Sequence, residues 1–126
     1  MAAGALLRVV LADDHDTVRE GLKALFKRHS QWIVCGEAKN GQEAVNIVAE
    51  LQPELVVLDL SMPVMNGIHA AAKIRQIAPN TKIVMLSMHT SSYSAEEAFR
   101  VGVNVYLTKS EAGAELMRTV DALFGG

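Results

Sequence analysis

Residues 11–16 read Leu-Ala-Asp-Asp-His-Asp. An apolar run, Val9-Val10-Leu11-Ala12, ends abruptly in Asp13, Asp14, His15 and Asp16. Two carboxylates about 4 Å apart repel by roughly 1 kcal/mol in water and roughly 4 kcal/mol at an effective dielectric near 20. A cluster of this kind suits either the polar start of a helix or a cation site. Taken alone, Asp13 and Asp14 read better as turn residues than as a site. Further along, Leu55-Val56-Val57-Leu58 runs into Asp59, Ile83-Val84-Met85-Leu86 into Ser87, and Val105-Tyr106-Leu107 into Thr108 and Lys109. Carboxylates, a hydroxyl and an ammonium thus each follow an apolar run.

These residues must be positioned by something, and the hydrophobic pattern says what. Short β-branched runs predict strands over 7–12, 33–36, 55–58, 82–86 and 105–107. Between them, apolar residues at helical spacing predict helices over 17–29, 42–51, 67–77, 94–101 and 112–124. The punctuation agrees: Gly41 stands before the second helix, Pro53 after it, Pro79 after the third and Gly102 after the fourth. Thr17-Val18-Arg19-Glu20 fits a capping box, with Asp16 suited to the helix dipole. Alternating strands and helices predict an α/β sandwich on a parallel sheet. The runs lack polar alternation, as expected when both faces of the sheet are covered. In such a sheet all strands end on one edge, where ligands bind. Asp13, Asp14, Asp59, Ser87 and Lys109 then gather from distant parts of the chain. The second strand ends in Gly36-Glu37-Ala38, with less distinctive chemistry.

Composition bounds the function. The 126 residues, half of them hydrophobic, predict one domain with a sizeable core. The single Cys35 allows no internal disulfide and reads as a small buried hydrophobe. A net charge of −2 gives no electrostatic reason to expect nucleic-acid binding. The N-terminal stretch lacks a basic region and is broken by Arg8, and no run reaches the length of a membrane span, which predicts a cytoplasmic protein.

The whole set resembles the receiver domain of two-component response regulators. The resemblance rests on Asp13-Asp14, on Asp59-Leu60-Ser61-Met62-Pro63-Val64-Met65-Asn66-Gly67 after a strand, and on Ser87, Tyr106 and Lys109. Val18-Arg19-Glu20-Gly21-Leu22 and Tyr106-Leu107-Thr108-Lys109 are similar to the subfamily whose receivers precede a LuxR/NarL-type helix-turn-helix. It implies a flavodoxin-like (βα)5 three-layer sandwich with strand order 2-1-3-4-5, spanning residues 1–126 as a single receiver domain. It implies Mg²⁺ held by Asp14, Asp59 and the Ser61 backbone carbonyl, with Asp13 acting through water or as a further contact. Oxygen donors and retained waters suit that ion. Asp59 becomes the nucleophile and phosphoacceptor, with a phosphohistidine on a sensor histidine kinase as donor. Lys109 supplies positive charge from the side opposite the metal, the Ser87 hydroxyl binds a phosphoryl oxygen, and Tyr106 changes rotamer as the switch. A homodimer through the first and fifth helices or the fourth-helix face, and DNA contact only through an output domain outside this chain, complete the expectation. The domain is not an enzyme in the usual sense, since it phosphorylates and dephosphorylates only itself.

Several features sit beside this reading. Ser110, rather than proline, follows Lys109, and Met88 is larger than the small residue many receivers carry after the hydroxyl. His15 and His89 lie in strand-end loops without metal-ligand spacing. His89, two residues after Ser87, is expected to tune phosphoryl lifetime. Met62, Met65, Met85 and Met88 read as packing residues. The runner-up reading is a single-domain or non-phosphorylated interaction module; a haloacid-dehalogenase-like phosphohydrolase ranks below it, since its nucleophile follows the first strand and Ser61 stands where its general acid belongs. A flavodoxin needs a phosphate loop after the first strand, which Asp13 and Asp14 would repel. An interaction module without phosphorylation does not require the intact acidic set.

Overall fold

Why the apolar runs lack alternation becomes clear from what covers them. In the computed structural model, which describes residues 6–88 and 92–125, the strands are β1 (Leu7–Ala12), β2 (Trp32–Ala38), β3 (Leu55–Asp59), β4 (Lys82–Ser87) and β5 (Val105–Thr108). They alternate with α1 (Asp16–Lys27), α2 (Gly41–Leu51), α3 (Gly67–Ile77), α4 (Ser92–Arg100) and α5 (Lys109–Leu123). All neighbouring strands are parallel, in the order β2-β1-β3-β4-β5. This is the flavodoxin-like order that the resemblance implied.

The period of two along each strand divides its side chains between two cores. Val9 and Leu11 of β1, Leu55 and Val57 of β3, and Val84 and Leu86 of β4 pack with Leu22 and Phe26 of α1 and Leu116 and Val120 of α5. Val10, Ala12, Val56, Leu58, Ile83 and Met85 pack on the other face with Ala44 and Val48 of α2, Ala70 and Ile74 of α3 and Ala98 of α4. Each of these larger side chains contributes about 1.5–3 kcal/mol by leaving water. With both faces loaded, the buried stretches Val9–Ala12, Leu55–Leu58 and Ile83–Leu86 leave no position for a polar residue before the strand ends. Polar chemistry is therefore confined to the sheet edge.

Local boundaries depart from the periodicity where side chains intervene. The N-cap of α1 is His15, which makes no side-chain cap bond. The Thr17 capping box is not formed. Asp13 Oδ1 accepts the His15 N–H at 2.8 Å, and this turn starts the helix two residues before the predicted Thr17 cap would have. Asp16 does occupy the first turn, as expected from the dipole. A capping box forms instead at α5, where Thr108 and Glu111 exchange hydrogen bonds with each other's backbone. The helix consequently starts at Lys109, three residues before the first apolar residue of its pattern. Gly41 is the first residue of α2 rather than its predecessor, because Asn40 is the cap. Trp32 closes one end of the sheet, its ring edge-to-face with Phe26 and Phe124 at 5.3 Å each. Cys35 is half-buried beside the second core, and burial pushes its thiol pKa up. Met62 and Met85 are buried as expected, whereas Met88 is 67% exposed and packs nothing into the core. No helix among the described residues is long and apolar enough to cross a membrane.

Candidate functional site

The register of the sheet decides which strand ends meet. Ala12 pairs with Leu58, so Asp13 and Asp59 come next on adjacent strands. Asp59 pairs with Leu86, and Ser87 with Thr108. Lys109, the first residue of α5, follows directly. Four of the residues singled out from the sequence thus occupy one edge of the sheet.

Their side chains converge. Asp13 and Asp59 are 1% and 3% exposed, and the Lys109 ammonium lies between them. Its Nζ is 2.9 Å from Asp13 Oδ2 and 3.3 Å from Asp59 Oδ2. Among the described residues, Asp13 Oδ2 is met by the Lys109 ammonium as an ion pair and has no further partner. Asp59 Oδ1 accepts the Ser61 N–H at 3.3 Å. Burial, and then the charge of Asp13, push the Asp59 carboxyl above its ordinary value; Lys109 and the Ser61 N–H act the other way. Burial alone would lower the Lys109 pKa, but Asp13 and Asp59 outweigh it and raise it. The site is a pair of buried carboxylates with one ammonium, short of positive charge.

Asp14 and His15 complete the acidic edge. One ligand atom each from Asp13, Asp14, His15 and Asp59 lie within 4.8 Å of one another. His15 Nδ1 is 3.2 Å from an oxygen of both Asp13 and Asp14. Spacing in the sequence gave no reason to include His15; adjacency to the acidic pair was its only signal. Oxygen donors dominate this set, which suits a hard divalent cation.

Two loops hold the carboxylates in place. The Asp13 N–H donates to the Ala38 carbonyl at 3.0 Å, tying the end of β1 to the end of β2. After Asp59, the Leu60 N–H donates to Leu86, and the Gly67 N–H returns to the Leu60 carbonyl, both at 2.8 Å. A Cβ on Gly67 would lie 2.3 Å from the Asp59 carbonyl oxygen, so only glycine lets α3 start this close to the strand end. Between them, the Met65 N–H donates to the Pro63 carbonyl around Val64, whose φ of +68° is costly for a β-branched residue.

Ser87 is buried at the end of β4, within the same edge. Tyr106 is half-buried against the core formed with α2, α3 and α4, and its Oη is buried without a hydrogen-bond partner among the described residues. His89 lies outside the described residues.

Arg19 and Glu37 join the site's surroundings, although the sequence gave Arg19 no site role and Glu37 no distinctive chemistry. Arg19 is 7% exposed and bonds the Asp13 carbonyl, Asp16 and Glu37. The three-residue spacing from Asp16 was the available signal.

Comparison with known proteins agrees with the geometry. Residues 9–121 match the family model of the response regulator receiver domain. The chain belongs to that family. The transcriptional regulatory protein YdfI of Bacillus subtilis is 36% identical to this receiver over 94% of the chain and 55% of its own length. The nitrate/nitrite response regulator NarL of Escherichia coli is 31% identical over the same shares. A LuxR-family two-component response regulator from Aurantimonas superposes with a TM-score of 0.90 at 38% identity, covering 96% of this receiver and 86% of that chain. The receiver spans about half the length of the curated relatives it matches. Its relatives are of the LuxR/NarL type, as the sequence suggested.

Proposed function

We propose that this receiver accepts a phosphoryl group from a sensor histidine kinase onto Asp59 and uses the modification to control an output. The observation that carries this reading is the meeting of Asp13, Asp59 and Lys109 on one sheet edge, with Ser87 beside them.

Asp59 is the nucleophile. One of its carboxylate oxygens attacks phosphorus, the phosphorus–nitrogen bond of the phosphohistidine breaks, and the electron pair leaves with the imidazole nitrogen, which then takes a proton. The barrier is electrostatic, because an anionic carboxylate must meet an anionic phosphoryl group. Lys109 stabilises the incoming phosphoryl oxygens from its position between the two carboxylates. Asp13, Asp14, Asp59 and the Ser61 carbonyl would hold Mg²⁺; the oxygen-rich donor set and the poorly satisfied Asp13 Oδ2 fit that ion. When bound, Mg²⁺ supplies charge neutralisation for phosphoryl transfer. Buried Asp59 is kept from water except at this edge.

The Ser87 hydroxyl binds a phosphoryl oxygen, and Tyr106 relays the change by turning its ring within the α4–β5 region. Its Oη, buried without a hydrogen-bond partner among the described residues, gives it a reason to leave its present place when a partner becomes available. Self-association follows, and the apolar hollow of about 330 Å³ between α1 and α5, lined by Val18, Leu22, Leu25 and Ala112, favours the first of the two expected faces. Output is transcriptional, as for the relatives named transcriptional regulatory proteins, through a helix-turn-helix output domain, and the location is the cytoplasm.

The test is incubation with phosphoramidate or acetyl phosphate and Mg²⁺, followed by intact mass measurement. One phosphoryl increment is expected on the wild type and none on Asp59→Asn. A wild type without an adduct, or an adduct that persists in Asp59→Asn, refutes the assignment. Sustained turnover of a phosphomonoester would instead favour a phosphohydrolase.

A further inference from the structure

The loop that carries Asp13, Asp14 and His15 is short, acidic and self-repelling, so something must hold its shape. Arg19 meets that need from α1. Its Nη1 donates to the Asp13 carbonyl at 2.7 Å in a buried bond, and its Nη2 pairs with the Asp16 carboxylate at the other end of the loop. Its own backbone N–H donates to the His15 carbonyl at 3.1 Å. The Arg19 side chain is held in turn: Nε donates to Glu37 Oε1 at 3.1 Å, and Glu37 Oε2 takes Lys23 Nζ at 3.1 Å. Lys23 is itself paired with Glu20. The planar guanidinium fork therefore joins α1, the acidic loop and the end of β2 in one rigid network.

We infer that Arg19 is a positioning residue for the cation pocket, fixing the Asp13 backbone so that the acidic side chains stay in register for a divalent ion. The inference rests on the receiver reading and its cation, and goes beyond it in assigning Arg19. Asp13 is then fixed at both backbone groups, by Ala38 at its N–H and by Arg19 at its carbonyl. The loop's preorganisation is what Arg19 contributes, and outer partners of this kind set metal affinity in other sites.

Charge alone predicts the opposite effect, which makes the test sharp. Removing a cation from beside a cation site strengthens binding if Arg19 acts only through its field; it weakens binding if Arg19 acts by holding the loop. Mn²⁺ is the probe, with unbound ion counted by its EPR signal on the full chain. Arg19→Met is expected to raise the Mn²⁺ Kd about tenfold. Arg19→Lys keeps the charge but not the fork, and is expected to bind several-fold more weakly than wild type. Glu37→Gln loses an ion pair yet keeps an acceptor for Nε, and should move the Kd much less than Arg19→Met while lowering thermal stability. Should Arg19→Met fail to fold by circular dichroism, Arg19→Lys decides. Wild-type-like or tighter binding in the Arg19 variant that decides overturns the inference and leaves the receiver reading intact. Absence of Mn²⁺ binding by the wild type overturns both.

Discussion

Replacing Lys109 by Met removes an ammonium and keeps most of its apolar stem. At 2.9 and 3.3 Å from the two carboxylates, each attraction is about 5–6 kcal/mol at an effective dielectric of 20. The Asp13–Asp59 repulsion, with oxygens within 4.8 Å, is about 3–4 kcal/mol on the same scale. Burying the ammonium cancels much of the attraction, and a lysine at a helix N-terminus is disfavoured by about 0.3–1 kcal/mol. Removing one partner of a buried ionic group usually costs about 3–5 kcal/mol. Proton uptake by Asp59, whose pKa is already raised, limits the damage. The expected loss for Lys109→Met is therefore about 3 kcal/mol at neutral pH, near the lower end of that range. Urea denaturation in EDTA reads it as a midpoint lower by roughly 1–3 M for a small domain's usual slope. Adding Asp59→Asn relieves the repulsion, so the double variant should recover at least half of the loss. Added Mg²⁺ should stabilise Lys109→Met more than the wild type, because the ion then meets an uncompensated anionic pair. A Lys109→Met protein within about 1 kcal/mol of wild type, or a strictly additive double variant, would show that the ammonium does not hold the carboxylates together.

Two further outcomes follow from other parts of the molecule. Burial pushes the Glu54 carboxyl up, but hydrogen bonds from Arg8 outweigh it and hold its pKa below 4.5, so its stabilisation is present above pH 4.5 and lost as the pH falls through the lowered folded value. Thermal melts in a descending pH series should fall less steeply below pH 4.5 for Glu54→Gln than for wild type, and parallel curves would contradict this. Thr108→Ala removes the α5 cap directly before Lys109, at a cost of about 1 kcal/mol in urea denaturation, and should slow phosphoramidate labelling of Asp59; an unchanged midpoint would argue against the capping role.

Periodicity in the sequence was sufficient for the element order, because the central strands are covered on both faces and each helix has one apolar stripe. Val56 and Val57 carry that message without any tertiary knowledge. Boundaries were less legible. Side-chain bonds set them, and Thr108 with Glu111 started α5 ahead of its apolar pattern while Asp13 displaced the expected Thr17 cap. The Asp59 segment was legible as a motif, and Gly67 shows why: its missing side chain lets α3 pack on the strand end.

Residue type and position at strand ends were determined by the sequence alone: Asp13, Asp14, Asp59, Ser87 and Lys109 each follow an apolar run. Which of them touch was decided only by the fold. Strand order and register put Ala12 beside Leu58, and that single step brings together carboxylates that lie far apart in an extended chain. His15 comes within reach of Asp59, Arg19 meets Glu37 on β2, and the Tyr106 hydroxyl is buried without a hydrogen-bond partner among the described residues for the same reason. Such contacts depend on distances between segments far apart in the chain, which local spacing does not encode.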